Sequence, residues 1–261
     1  MKVLVTGASG ALGRAVLPRL RGDGFVVRAM SRRPHGGQAA EWVTGDLATG
    51  EGLPDAVAGV AAVLHLASTP GGGRRTHQVD VLGTRRLAVA AGRAGVGHLL
   101  YVSIVGVDRV PFPYYRHKLA AERVVAAGPV PWSVLRATQF HPFLDDLLAL
   151  AGRLGPVIGD RAVLAQPVDA GEVAARLSGR LAAGPLEGIE EYGGPQVLRF
   201  DAAVEAWRAA RGSRRPLLPV RVPGRLGRAL RSGALTTRAA PTGIRSWSDH
   251  LADTYGGTGR R

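Results

Sequence analysis

Apolar residues in the first half of the chain come in short continuous runs, separated by stretches in which they recur three or four positions apart. Residues 2–6, Lys-Val-Leu-Val-Thr, form one such run, too short for a helix and closed by glycine. Runs of this kind predict buried strands, and further ones stand at 25–30, 41–45, 60–67, 98–103 and 132–137. Between them the helical spacing predicts helices over 11–21, 74–95 and 114–127. Pro18 is expected to bend the first helix or shift its start, and Pro111 and Pro113 lead into the last. Apolar strands alternating with longer helices predict an α/β fold, a doubly wound parallel sheet covered on both faces.

Past Thr138 the pattern loosens. Helices are expected over 142–154, 170–183, 201–211 and 246–253, and strands over 163–168 and 196–200. Residues 212–243 are dense in arginine, proline and glycine and read as largely irregular.

Residues 6–13 read Thr-Gly-Ala-Ser-Gly-Ala-Leu-Gly, between the first strand and the first helix. Gly7 permits a tight turn, Gly10 lets a pyrophosphate approach the backbone, and Gly13 lets helix and strand pack closely. Ser9, Ala11 and Leu12 complete a loop whose free N–H groups face an anion at the helix N-terminus. The loop predicts a Rossmann-type dinucleotide site. The expected organisation is a cofactor domain over 1–140 and a smaller C-terminal substrate lobe over 141–261, interleaved with it over the carboxyl edge of the sheet.

The end of the second strand discriminates between cofactors. An acid there suits the ribose hydroxyl of NAD, and arginine suits the 2′-phosphate of NADP. Here Ser31-Arg32-Arg33-Pro34 follows, with no acid before Glu41, so the expected cofactor is NADP(H). Asp46 and Leu47 are expected at the adenine edge, and Leu66, Ala67 and Ser68 near a ribose. His65, alone on an apolar strand, reads as structural rather than catalytic.

Composition narrows the picture. At 261 residues and 46% hydrophobic the chain can bury a sizeable core. It has no cysteine, which excludes disulfides, thiolate nucleophiles and cysteine metal sites; no metal centre is expected. No apolar run nears the ~20 residues of a membrane helix, and nothing marks export, so a cytoplasmic location is the expectation. Net charge is +14, and residues 199–261 hold 13 Arg against 4 acids. No zinc-finger, basic-zipper or RNP-like pattern accompanies them, which favours a solvated arginine-rich surface over nucleic-acid binding. An anionic partner or substrate docking on this lobe is the alternative. Of the 34 Lys and Arg only Lys2 and Lys118 are lysine, so a retained lysine marks a place where a compact ammonium matters.

The glycine loop, Gly45-Asp46-Leu47, His65-Leu66-Ala67 and Asp80-Val81-Leu82-Gly83-Thr84 resemble the short-chain dehydrogenases/reductases. The stretches Tyr101-Val102-Ser103-Ile104-Val105-Gly106 and Leu135-Arg136-Ala137-Thr138-Gln139-Phe140-His141 are most similar to the atypical, NmrA-like branch. The resemblance implies a nicotinamide cofactor and, often, reduction of a quinone, imine or carbonyl.

Tyr114 and Lys118 lie four apart and share a helix face. With Ser103 they are similar to the superfamily's Ser–Tyr–Lys pattern. Tyr114 would protonate a carbonyl oxygen as hydride arrives, Lys118 would lower the tyrosine pKa and hold the nicotinamide ribose, and Ser103 would bond the same oxygen. Thr138 stands where the family usually has Pro-Gly near the nicotinamide. Gln139, Phe140, His141 and Phe143 follow the sixth strand as candidate substrate contacts, hinge packing being the competing reading. The leading expectation is an NADPH-dependent reductase of a small, largely apolar carbonyl, quinone or imine. A cofactor-sensing regulator and a non-redox isomerase, dehydratase or cyclase stay open, because the fold does not separate them.

Overall fold

Strand β1 (Lys2–Thr6) pairs in parallel with β2 (Val26–Ser31) on one side and β4 (Ala62–His65) on the other. Strand β3 (Glu41–Thr44) adds to β2, and β5 (His98–Ile104) adds to β4, also in parallel. With β6 (Trp132–Ala137) and β9 (Gly188–Tyr192) the order is β3-β2-β1-β4-β5-β6-β9, a seven-stranded Rossmann-like sheet. The computed structural model describes residues 1–33, 40–153 and 155–256; Pro34, Leu154, Arg260 and Arg261 lie outside them.

Two compact units emerge. The first comprises Met1–Ser103, Phe112–Arg136 and Ala170–Glu190; the second comprises Ile104–Pro111, Ala137–Asp169 and Glu191–Arg261. The two units interleave along the chain. Helix α7 (Ala170–Ala183) returns to the first unit, because its buried Val173, Leu177 and Leu181 form a stripe that packs with α1 (Ala11–Gly22). Helix α1 runs through Pro18 and buries Leu12, Val16 and Leu20 at matching spacing.

In the first unit's main core Leu4, Val63, Leu99 and Val134 of the sheet pack with three helices. These are α2 (Leu53–Val57), α4 (Thr84–Arg93) and α5 (Pro113–Ala126). The helix expected over 74–95 is composite: α3 (Arg74–Thr76), a π-helical segment His77–Gly83, then α4.

The second unit has its own core. Leu144 and Leu148 of α6 (His141–Ala151), Val204 and Trp207 of α8 (Phe200–Ala210), and Trp247 and Leu251 of α10 (Trp247–Tyr255) meet there. The strands expected over 163–168 and 196–200 shrink to the two-residue pair β8 (Leu164–Ala165) and β10 (Leu198–Arg199). The region expected to be irregular contains β11 (Leu217–Pro219), paired with β7 (Val157–Gly159), and α9 (Gly224–Arg231). Among the described residues no helix is long and apolar enough to cross a membrane.

Candidate functional site

The glycine loop joins β1 to α1 as its spacing predicts. Gly7 has φ +69°, and a Cβ there would lie 2.6 Å from the backbone nitrogen of Ala67, so the two sheet-edge loops touch only because Gly7 has no side chain. At Gly13 a Cβ would lie 2.4 Å from the Ala8 carbonyl, so its missing side chain lets the first turn of α1 close against the loop itself rather than against the strand. Gly10 is the N-cap of α1, no side chain caps it, and no acid stands in the first turn. Its N-terminal donors are therefore open to a phosphate. Leu12 is buried in the core and Ala11 is exposed.

A cleft of about 220 Å3 runs from this loop across the sheet edge of the first unit. It gathers Gly7, Ser9 and Gly10 with Ser31 and Arg32, then Asp46 and Leu47, then Leu66, Ala67 and Ser68. Thus ten of the residues expected to hold a dinucleotide line one cavity, joined by Met30, Gly45, Thr69 and Val79. A larger hollow of about 620 Å3 between α2 and α4 shares no residue with the glycine loop or the tyrosine helix, and the smaller cleft is the one the chemistry converges on.

Arg32 and Arg33 are exposed, and neither pairs with a carboxylate among the described residues. Glu41, the first acid after them, is held by Lys2 at 2.7 Å and Arg28 at 2.8 Å. Arg32 lines the cleft; Arg33 does not, and its carbonyl accepts from the Ser31 hydroxyl. Asp46 also has a local role, accepting from the Ala48 N–H at 2.7 Å. These features fit a dinucleotide: uncapped helix donors for the pyrophosphate, a side-chain-free approach at Gly7, and an exposed guanidinium beyond β2.

Tyr114 stands in the first turn of α5, with Pro113 at the helix start. Its hydroxyl lies 2.6 Å from Ser68 Oγ, so it adjoins the cleft through a residue that lines it. The expected partner Ser103 is buried, and its Oγ has no hydrogen-bond partner among the described residues. Burial pushes Tyr114 up to about 12. The direction is opposite to the lowering expected from Lys118, because desolvation of the phenolate dominates, while the Lys118 ammonium is engaged by the Val102 carbonyl and the Tyr101 ring. Tyr115 is likewise pushed to about 12 by burial, and it packs edge-on against Phe112 at 5.7 Å.

Lys118 is buried, and its Nζ donates to the Val102 carbonyl at 2.7 Å. Burial brings it down to about 8. His65 is fully buried between two threonines, with Nδ1 2.6 Å from Thr6 Oγ1 and Nε2 2.9 Å from Thr84 Oγ1. Thr84 donates its own proton to the Asp80 carbonyl, so His65 Nε2–H donates to Thr84 and Nδ1 accepts from Thr6. Burial depresses the ring to about 3. His65 is thus a neutral structural bridge, as its setting on an apolar strand implied.

The remaining sequence-derived residues fall in the second unit. Thr138 is buried and its N–H bonds the Tyr192 carbonyl. Gln139 is engaged at both ends, donating to the Leu235 carbonyl at 3.1 Å and accepting from the Gln166 N–H at 3.1 Å. Phe140 makes a bridge to Val168, and Phe143 is 55% exposed. His141 opens α6. It is fully buried, its ring 6.0 Å from that of Trp247 and 5.2 Å from that of His250.

Two further residues stand beside the cleft without a role read from the sequence. Asp80 is buried and accepts from Ser68 and from the Thr69 N–H at 2.8 Å. Its sequence signal was its place at the head of the Asp80–Thr84 run that carries the family resemblance, which assigned it no role. Arg14, in the first turn of α1, donates to the Ser9 carbonyl at 3.0 Å and places a cation beside the glycine loop.

The sheet order, the glycine loop and the cleft define a Rossmann-type protein for a nicotinamide dinucleotide. The chain belongs to the NAD(P)H-binding family, whose model matches residues 7–143. It is 35% identical over 144 residues to the (4-alkanoyl-5-oxo-2,5-dihydrofuran-3-yl)methyl phosphate reductase of Streptomyces griseus, covering 53% of this chain and 48% of that one. It is 35% identical over 154 residues to the 2-alkyl-3-oxoalkanoate reductase of Stenotrophomonas maltophilia, covering 49% of this chain and 47% of that one. The chain spans about half the length of these curated relatives. A short-chain dehydrogenase/reductase superfamily protein of Agrobacterium tumefaciens, solved with bound NAD, shares its fold. The TM-score is 0.76 at 24% identity, over 99% of this chain and 97% of that one. These matches agree with the resemblance to the atypical, NmrA-like branch.

Proposed function

We propose that the chain is an NADPH-dependent reductase of a small, largely apolar carbonyl, quinone or imine, with Tyr114 as its acid. One observation carries this reading: the Tyr114 hydroxyl is 2.6 Å from Ser68, a residue lining the dinucleotide cleft. A proton donor thereby adjoins the place where a hydride donor would sit, which is the pairing that reduction of a polar double bond needs. The raised pKa of Tyr114 keeps it protonated at neutral pH, the form that serves reduction. Two reductases among the relatives support the same class.

In this reading the free N–H groups at the start of α1, reached over Gly7 and Gly10, hold the pyrophosphate, and Ser31 and Arg32 hold the 2′-phosphate. Asp46 and Leu47 flank the adenine, and Leu66 and Ala67 border a ribose. Lys118 serves the nicotinamide ribose, and Ser103 orients the substrate oxygen. NADPH, when bound, supplies the hydride. The test is loss of reduced-nicotinamide absorbance with a panel of quinones, ketones and imines. Oxidation of NADPH by at least one is expected. A protein that binds NADPH yet reduces none of the panel overturns the reading in favour of cofactor sensing.

A further inference from the structure

Side chains from three separate segments form one hydrogen-bonded chain in the first unit. The Tyr114 hydroxyl lies 2.6 Å from Ser68 Oγ, and Ser68 donates to Asp80 Oδ2 at 2.5 Å. The other carboxylate oxygen of Asp80 accepts from the Thr69 N–H at 2.8 Å. Counting protons sets the direction. A serine hydroxyl has one proton, and here Asp80 receives it. Toward Tyr114, Ser68 can only accept, so Tyr114 is the donor. Asp80 sits in the π-helical segment His77–Gly83, where the wider turn interrupts an otherwise α-helical run.

We propose that Asp80 is a positioning residue for the acid: acting through Ser68, it directs this chain so that Tyr114 keeps its proton until a substrate oxygen takes it. The proposal rests on the reductase reading for the use of that proton, while the direction of the chain is open to test without turnover. In the step it serves, the Tyr114 O–H bond breaks and an O–H bond forms on the substrate oxygen. The hydride goes from the reduced nicotinamide to the substrate carbon, and the phenolate left behind regains a proton from water.

The surroundings agree with this role. Facing Asp80 are Lys118 and His117 of α5, and burial raises its carboxyl against their pull. Around Tyr114, besides Asp80, stand Tyr101 of β5 and the neighbouring Tyr115. Asp80→Asn would reverse the chain. The amide oxygen takes the Thr69 N–H, the amide NH2 donates to Ser68, and Ser68 then donates to Tyr114. A hydrogen bond donated to the phenolate favours ionisation, so one isosteric change converts a device that retains the proton into one that releases it.

The experiment reads the Cζ resonance of Tyr114 in full-length protein labelled with 13C-tyrosine, assigned by its loss in Tyr114→Phe. In the wild type Tyr114 is expected to stay protonated to about pH 11. Asp80→Asn is expected to lower its midpoint by about one pH unit or more. In a Ser68→Ala background the same change at 80 is expected to lose most of that effect, whereas Ser68→Thr, which keeps the hydroxyl, leaves the wild-type midpoint. An unchanged midpoint in Asp80→Asn, or an equal shift with and without Ser68, overturns the proposal. Should Asp80→Asn fail to fold, Ser68→Ala and Ser68→Thr decide: a Tyr114 resonance indifferent to loss of the Ser68 hydroxyl overturns it equally. With an active substrate, the alkaline limb of kcat should move down in Asp80→Asn by the same interval, which a merely structural role would not produce. A substrate panel without a hit sinks the reductase reading and leaves these midpoints standing; unmoved midpoints in an active reductase sink the positioning role alone.

Discussion

Lys118 donates a hydrogen bond to the carbonyl of Val102 at 2.7 Å while its Nζ stands 4.1 Å over the ring of Tyr101. Both contacts hold the ammonium inside the first unit, where burial brings its pKa from 10.5 down to about 8. The unfolded chain therefore binds this proton more tightly than the folded one. Between about pH 8 and 10.5, stability should rise with pH on this account. Lys118→Met keeps the stem; near pH 7 it loses the bond to Val102, at about 1–3 kcal/mol, and also sheds the burial penalty on the ammonium, so the two changes oppose each other. Urea titrations of both proteins across that window check it: the variant should lack the lysine's rise. Lys118→Arg should not restore NADPH affinity, since a guanidinium fork does not fit the place of a compact ammonium.

Tyr114→Phe keeps the ring and removes the proton. General acid catalysis contributes about 10²–10⁴-fold, so turnover should fall within that range while NADPH affinity stays near the wild-type value. Tyr115→Phe should change turnover little, because Tyr115 packs against Phe112 and makes no hydrogen bond to Ser68. Steady-state kinetics on one active substrate separate the two. A fully active Tyr114→Phe would remove the acid role and leave protonation to solvent.

NADPH should bind more tightly than NADH, and the difference should reside in Arg32. A charge-assisted bond to phosphate is worth about 1.5–3 kcal/mol, so Arg32→Ala should bring the two affinities together. Arg33→Ala should do less, since Arg33 does not line the cleft. Fluorescence titration with both cofactors measures this. Equal affinities in the wild type would refute it.

Acid should unfold the protein in a window set by buried histidines. Burial holds His65 at about 3 and His98 and His141 at about 4, against 6.5 for a free ring. Unfolded histidines gain protons as pH falls below about 6.5, the folded ones do not, and stability drops across that interval. The melting temperature should decline from pH 6.5 toward 4, more shallowly in His98→Asn. A flat profile over that range would show these rings to be accessible to protonation in the folded state.

Local pattern carried much of the fold into the sequence. Glycine spacing located the turn after β1, because only a residue without a side chain tolerates φ +69° against the Ala67 backbone. Short apolar runs marked β1, β2 and β4 to β6, since a strand covered on both faces has no polar side to show, while the edge strand β3 was marked by Trp42 and Val43 alone. The seventh strand, β9, escaped because it reads Gly-Ile-Glu-Glu-Tyr. Its Glu190 is accommodated by Arg176 and Arg180 of α7, contacts that no local pattern reports.

The Tyr114–Lys118 pair was legible for the same local reason: a helix places residues four apart on one face. What each does there was not. Ser68 and Asp80 lie 46 and 34 positions before Tyr114, and only the packing of α5 with the π-helical segment joins them to its hydroxyl. Periodicity reports which face of an element is buried. The partner a buried polar group finds, and hence its proton and its charge, follows from how distant elements meet, because desolvation and hydrogen bonding act through space rather than along the chain.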